Sequence, residues 1–453
     1  MRAFPVFILS ASIFAATLVD GFGGLKGPSP KGKEKEEKGE KVEKRVDPVF
    51  EELKRKAESG DAQAQHDLGD WYSAGKWETR DLEAALEWYR KSAEQGFAAG
   101  QDSLGDCYRD GNGVEKNAEE ALRWYKKAVD QGYWGAFMSM GLCNERGIGM
   151  EKNEAEANRW FARGLEGARK AAEKGDPRAC TGVGICYQGG HGVAKDEVEA
   201  VKWFRKAADL EEVHGLVSMG YCYQNGVGVT KDAEEAVVWY KKAADLGYAL
   251  GQSNLGLSYF WGVGVAKDEK EGVKWCEKAA KQGLARAQGN VGYCYLLGKG
   301  VDRNEGTAAK WFRKGAAQDD GFSQLWLGHM YLKGVGVEQS ATEATKLYRK
   351  AAEQGDPIAQ YSLGVCYSVG EGVNRDEVEA FNWIKKSAEN KFHVRAQFDL
   401  GWRYYKGIGV DANKEEAKKW WEKAAAEGDK RAALAVQDPE DSRIEEYYEA
   451  NRK

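Results

Sequence analysis

Between Asp232 and Asp245 the apolar side chains fall at Ala236, Trp239, Tyr240, Ala243 and Ala244, with Lys241, Lys242 and Asp245 on the other side. That is the i, i+3, i+4, i+7, i+8 stripe of an amphipathic helix. Ahead of it a second apolar stretch, starting near Gly215 and carrying Met219, Gly220 and Tyr223, stops at Gly226-Val227-Gly228. A helix that ends on a left-handed residue favours glycine there, because a side chain would clash. Asp232 opens the next helix as an N-cap, its side-chain oxygen taking an orphan backbone N–H. The pattern predicts a helix, a glycine turn and a capped second helix.

This unit recurs ten times. Leu68-Gly69 returns as Leu104-Gly105, Met140-Gly141, Val183-Gly184, Met219-Gly220, Leu255-Gly256, Val291-Gly292, Leu327-Gly328, Leu363-Gly364 and Leu400-Gly401, at steps of 36 residues except for one of 43 and one of 37. A glycine follows six residues later in every unit, and another two residues on in all but the first, which has Trp77. The N-cap position holds Asp, Asn or Ser throughout, and Glu stands three residues later in eight units, in the manner of a capping box. These carboxylates are caps rather than acid catalysts. Trp falls seven residues after the cap in nine units (Leu347 in the eighth) and is read as core. Self-similarity at this period predicts an all-α, right-handed α-solenoid superhelix of about ten antiparallel helix-pair repeats over residues 61–428. The long step inserts Leu165 to Lys170, about two turns, which lengthens the second helix of unit 3 or kinks it. Residues 47–60 and 429–453 read as capping helices, the latter with Ile444, Tyr447 and Tyr448 as a docking edge.

The N-terminus differs in kind. Met1-Arg2 precedes an apolar run from Phe4 to Val19, short for a membrane span and right for a secretory h-region, so residues 1–24 are expected to be a signal peptide. Residues 25–46, with the Lys/Glu run Lys31 to Arg45, read as a solvated linker. Export to a periplasm or the cell exterior is expected ahead of an endoplasmic reticulum lumen. A net charge of -5 over 453 residues, with no dense basic block in the repeats, argues against nucleic acid.

Ala359-Gln360-Tyr361-Ser362-Leu363-Gly364-Val365-Cys366-Tyr367, followed by Gly370, Gly372, Val373, Asp376, Ala380 and Trp383, resembles the Sel1-like repeat, a longer relative of the tetratricopeptide repeat. The resemblance covers Gly60 to about Gly428, with local departures at Asn144, Leu347 and Trp77. It implies a solenoid adaptor that scaffolds protein complexes, often in the secretory pathway or the bacterial envelope. Peripheral association with the cell envelope fits the same expectation. Some cysteine-rich secreted members carry paired cysteines in a disulfide ladder and are described as β-lactamases or penicillin binders.

This chain lacks that pairing. Cys107, Cys143, Cys186, Cys222, Cys294 and Cys366 occupy one equivalent position, about 10 Å or more apart in adjacent layers, beyond the roughly 7 Å a disulfide spans. Cys276 and Cys294, on consecutive helices, are the one pair that could meet. Ser73-Ala74-Gly75-Lys76 matches S-x-x-K without its companion motifs. His66, His191, His214, His329 and His393 fall in no metal-binding spacing. The Gly-x-Gly loops lack the strand and Lys-Ser/Thr of a phosphate loop. No enzyme activity, cofactor or metal is expected.

The expected binding surface is the concave face. Positions -3, +1 and +4 from the repeat glycine form a stripe that varies between units, as a recognition surface would. It is polar in units 1 and 2 (His66, Asp70, Ser73, Asp102, Asp106, Arg109) and apolar from unit 6: Leu257, Phe260, Tyr293, Leu296, Leu325, His329, Leu332, Tyr361, Val365, Phe398, Trp402 and Tyr405. Such a groove suits a protein or peptide ligand; tight curvature that packs the stripe against neighbouring units is the competing reading. The function expected is an exported adaptor, with a cell-wall or β-lactam hydrolase, or a purely structural envelope scaffold, as alternatives.

Overall fold

A computed structural model describes residues 48–74, 81–390 and 393–450. The expected signal peptide (1–24), the linker (25–46) and the unit 1 loop with Trp77 lie outside the described residues. Among these there are helices and no strand. They form two compact bodies that divide between Leu284 and Ala285. In the first body the first helices of units 1 to 6 are Ala62–Ala74, Ala98–Asp110, Trp134–Arg146, Pro177–Gly189, Val213–Asn225 and Ala249–Trp261; in the second, units 7 to 10 begin with Ala285–Leu297, Gly321–Lys333, Pro357–Val369 and Val394–Lys406. Each is followed by its second helix, for example Ala233–Asp245 in unit 5 and Ala341–Glu353 in unit 8.

The repeat glycine sits mid-helix, where glycine is about 1 kcal/mol worse than alanine. Its reason is contact. In unit 5 a Cβ on Gly220 would lie 2.4 Å from the Tyr240 ring, the residue eight past the second-helix cap. The same clash faces Gly105 with Tyr125 (2.5 Å), Gly184 with Phe204 (2.5 Å) and Gly401 with Trp421 (2.4 Å). Only the bare Cα lets the ring lie against the first helix. Alanines such as Ala236, Ala243 and Ala244 then bring the next layer close, all of them buried.

All ten predicted N-caps accept a hydrogen bond from the backbone two or three residues on. The glutamates at the third position do something other than the expected reciprocal box. Their contacts run forward along the helix, from Arg123 to Glu120 (3.2 Å), from Lys274 to Glu271 (3.1 Å), and from the Trp239 indole to Glu235 (2.8 Å). The first loop glycine caps its helix in the left-handed region, Gly226 at φ 71°. The second packs on the previous unit: a Cβ on Gly228 would stand 2.0 Å from the Glu197 carbonyl oxygen.

The tryptophans need a correction. Trp239 is buried as expected, but Trp88, Trp124, Trp203, Trp275 and Trp383 are half-buried. A cation three residues later roofs the exposed face, with Lys127 at 3.5 Å from the Trp124 ring centre and Lys278 at 3.5 Å from Trp275. The core position is the neighbouring one that faces the glycine.

The insertion lengthens the second helix of unit 3 without a break, to Glu154–Glu173. Phe161 still faces Gly141, while Leu165, Ala168 and Ala172 pack on Ala179, Cys180 and Val183 of unit 4. Seven residues move that packing about 10 Å along the axis. Trp134 fills the step: a Cβ on Gly182 would lie 2.8 Å from its ring.

At the N-terminal end Pro48–Glu58 covers Ala64 and Leu68 with Phe50 and Leu53. At the other end, Lys430–Gln437 and Ser442–Ala450 close unit 10, with Ile444 and Tyr448 buried beside Trp402 and Trp421 and Tyr447 left exposed. All eight cysteines, Cys276 and Cys294 included, are buried, and none is in a disulfide. Burial pushes the Cys186 and Cys276 thiols up to about 12, so they are inert hydrophobes rather than nucleophiles.

Candidate functional site

The predicted recognition stripe is not open. Leu257, Phe260, Tyr293, Leu296, Leu325, Tyr361, Phe398, Trp402 and Tyr405 are buried; His329 and Val365 are half-buried, as is Leu332. In the second body Tyr293 packs edge-on to Trp326 (5.1 Å between ring centres), Tyr361 meets His393 (5.3 Å), and Trp402 lies against Tyr448 (5.7 Å). In the first body the Phe260 backbone lies 2.8 Å from where a Cβ on Gly272 would sit. The expectation of exposed anchors is corrected: the competing reading, packing within the stack, describes these side chains.

The stripe varies for a reason that lies in the core. Where the ring against the repeat glycine is tyrosine, its hydroxyl needs a partner, and the stripe provides one. Tyr89 donates to Asp70 (2.8 Å), Tyr125 to Asp106 (2.8 Å) and Tyr240 to Gln224 (2.7 Å), and Tyr348 bonds His329 at 2.5 Å. Where the ring is Phe161 or Phe204, the residue after the glycine is Leu142 or Ile185. The variation therefore answers burial of a phenol rather than a ligand.

The polar part of the stripe, in the first body, is a closed network. His66 reaches Ser103 (3.2 Å), Ser139 donates to Asp102 (2.9 Å), and Arg109 pairs with Asp106 (2.7 Å) and Asp110 (2.6 Å). Arg178 of unit 4 reaches back across two units to Asp70 at 2.6 Å. Burial works against the Asp70 carboxylate, but His66, Arg178 and the Tyr89 hydroxyl together hold it well below the ordinary range. His66, Asp67 and Asp70 bring ligand atoms within 4.8 Å of one another, the one such group among the described residues. With a guanidinium already on Asp70 and a hydroxyl on His66, the donors are committed to the protein itself.

Sequence reasoning passed over Arg403, which is fully buried and pairs with Asp399 (2.8 Å), Glu377 (3.0 Å) and the Ser368 hydroxyl (2.9 Å). The signal was present: Arg403 stands two residues after its repeat glycine, where six other units place cysteine. Among the described residues no helix is long and apolar enough to cross a membrane.

The class is thus an α-solenoid of stacked helix pairs, with glycine turns between the helices of a pair. The Sel1 repeat family matches the chain in ten segments, from 62–97 through 394–429, and the chain belongs to that family. Solenoids of this family are typically non-enzymatic scaffolds for protein interaction. The chain is similar to a protective antigen of uropathogenic Escherichia coli with an SLR fold: 32% identity, covering 88% of this chain and 93% of that one, TM-score 0.39. It is also similar to a Sel1 repeat protein of Oxalobacter formigenes: 30% identity, 70% and 90% covered, TM-score 0.43. An immunity protein of Pseudomonas aeruginosa follows at 24% identity, with 43% and 74% covered and TM-score 0.32. No curated protein matches the chain.

Two outcomes follow from this burial. Trp402→Ala, read in urea unfolding, is expected to cost roughly 3–5 kcal/mol as a large core truncation; a loss below about 1 kcal/mol would mean that the ring stands free of the stack. The second concerns acid. Burial, with Lys333 nearby, lowers His329 to about 4, and burial with Arg395 lowers His393 to about 4. Both are neutral when folded and take up protons when unfolded below about pH 6.5, so their contribution is complete above that value and falls as pH drops toward 4. Between pH 7 and 4.5, wild type is expected to lose roughly 2 kcal/mol more than His329→Gln. Equal losses would contradict the buried neutral imidazole.

Proposed function

We propose that this chain is an exported adaptor that holds a partner protein on the outward-facing residues of its solenoid. One observation carries the reading. The recurring small and apolar side chains that face the glycines, and most of the inner stripe, are taken up by the stack, which leaves the exposed, non-repeating residues of the second helices and their turns to distinguish one unit from another. Of the twelve expected groove residues, His329, Leu332 and Val365 are half-buried and the rest are buried, so the inner face offers little to a partner. The export half rests on Met1-Arg2 and the apolar run from Phe4 to Val19. The hydrolase alternative gains nothing: Ser73 lies in the last turn of Ala62–Ala74, and the family matched is a repeat family.

Cross-linking mass spectrometry on the protein in its native cells, with N-terminal sequencing, tests both halves. The expected result is a mature chain beginning near Leu25 or slightly earlier and a small set of proteins linked to second-helix lysines such as Lys202 and Lys241. A native chain that still begins at Met1 contradicts export; cross-links confined to this chain contradict the adaptor.

A further inference from the structure

At the end of each second helix, the structure keeps a polar tie in five units. The Gln95, Gln131, Gln282, Gln318 and Gln354 amides donate to Gln65, Gln101, Gln252, Gln288 and Gln324 of the same unit at 2.6–3.0 Å. Units 4 and 5 replace both partners at once. Leu210 and Leu246 stand at the outer position, with buried Cys180 and Leu216 at the inner one. An apolar exchange made only for packing would bury the outer residue. Instead Leu210 is 49% exposed and Leu246 44%.

The turn beside Leu210 departs further. Units 1, 2, 3, 5, 6, 8 and 10 place glycine in the left-handed region there, and unit 7 places Asp319, at φ 59°; unit 4 places Glu211, at φ 55°. Glu211 carries some backbone strain in that conformation, as Asp319 does. It sets a carboxylate at the tip of the turn, next to exposed Asp209, with exposed Asp245 beside Leu246. Half-buried Val213 and Leu250 begin the first helices that follow. The nearby basic side chains face elsewhere: Lys206 and Lys242 lie over the Trp203 and Trp239 rings, and the His214 ring is held by Glu212 at 2.7 Å. The edge therefore carries two half-exposed leucines on successive units, rimmed by Asp209, Glu211 and Asp245.

We propose that this edge of units 4 and 5 docks an amphipathic segment of another protein that presents two apolar side chains flanked by lysine or arginine. Leucines supply burial and the carboxylates complement the flanking cations, which sets register and orientation. The proposal rests on the adaptor reading and narrows it to one surface and one partner chemistry.

A phage-displayed library of helical peptides, panned on the full chain, tests it. Enriched peptides are expected to pair apolar residues with Lys or Arg. They should bind the Leu210→Gln/Leu246→Gln variant at least about tenfold more weakly; glutamine already occupies this position in five units, so the fold is kept. Glu211→Lys should weaken them several-fold, and Val378→Lys, an exposed valine in unit 9, should leave them unchanged. Peptides that bind the double glutamine variant as tightly as wild type, or show no basic bias, overturn the proposal while the adaptor reading stands. A panel with no enriched peptide also overturns the proposal, while the adaptor reading stands or falls on the cross-linking result.

Discussion

The contact on which the stack depends is a ring laid against a bare Cα. A first helix and its second helix can approach closely only where no Cβ intervenes, and each unit meets this with a mid-helix glycine opposite the eighth residue after the cap. Helix propensity opposes the choice, so packing must supply the reason. Once the ring is seated, the layer spacing follows, and the alanines of the second helix set the distance to the next unit. Unit 6 shows the same rule with a smaller group: Cys276 occupies the ring position, and its Sγ would be 2.7 Å from a Cβ on Gly256.

Much of this was legible in the chain. The repeat, the helix pairs, the glycine turns and all ten N-caps are local, and local chemistry announces itself by spacing. The partners of the aromatic residues were less legible, because neighbouring positions on one helix face differ only in what lies across from them. Trp239 and Tyr240 look alike as a pair in sequence, yet in most units the tryptophan edges toward solvent under a lysine while its neighbour is sealed against glycine. The inner stripe was misread for a related reason. Its variability suggested recognition, but Asp70, Asp106 and Gln224 answer the hydroxyls of Tyr89, Tyr125 and Tyr240. Pairing each stripe residue with the ring type of its own unit would have revealed that.

Long-range polar links were invisible to periodicity altogether. The Arg178–Asp70 pair joins units 1 and 4 within the first body, and Arg403 ties three helices in the second. Arg403, fully buried, replaces solvation of its charge with a full set of partners, the condition under which burial of an ion is tolerated, while Asp70 and Arg178 keep part of their exposure. Together with the inner hydrophobic packing they occupy the face where a ligand was first expected. Distinctions among units then survive mainly at the outer ends of the second helices, where Leu210 and Leu246 stand in place of the glutamine that five other units keep, and Glu211, like Asp319, stands in place of glycine.

The glycine–ring contact is tested most directly by a double-mutant cycle in unit 5. If helix propensity governed, Gly220→Ala would stabilise the chain by up to about 1 kcal/mol. The close contact predicts the reverse, a loss of roughly 1–3 kcal/mol from overpacking. It also predicts that the loss largely disappears when Tyr240 is already Ala, a coupling of at least about 1 kcal/mol. An alanine at 220 that stabilises the chain, or that costs the same whether or not the ring is present, would contradict the account.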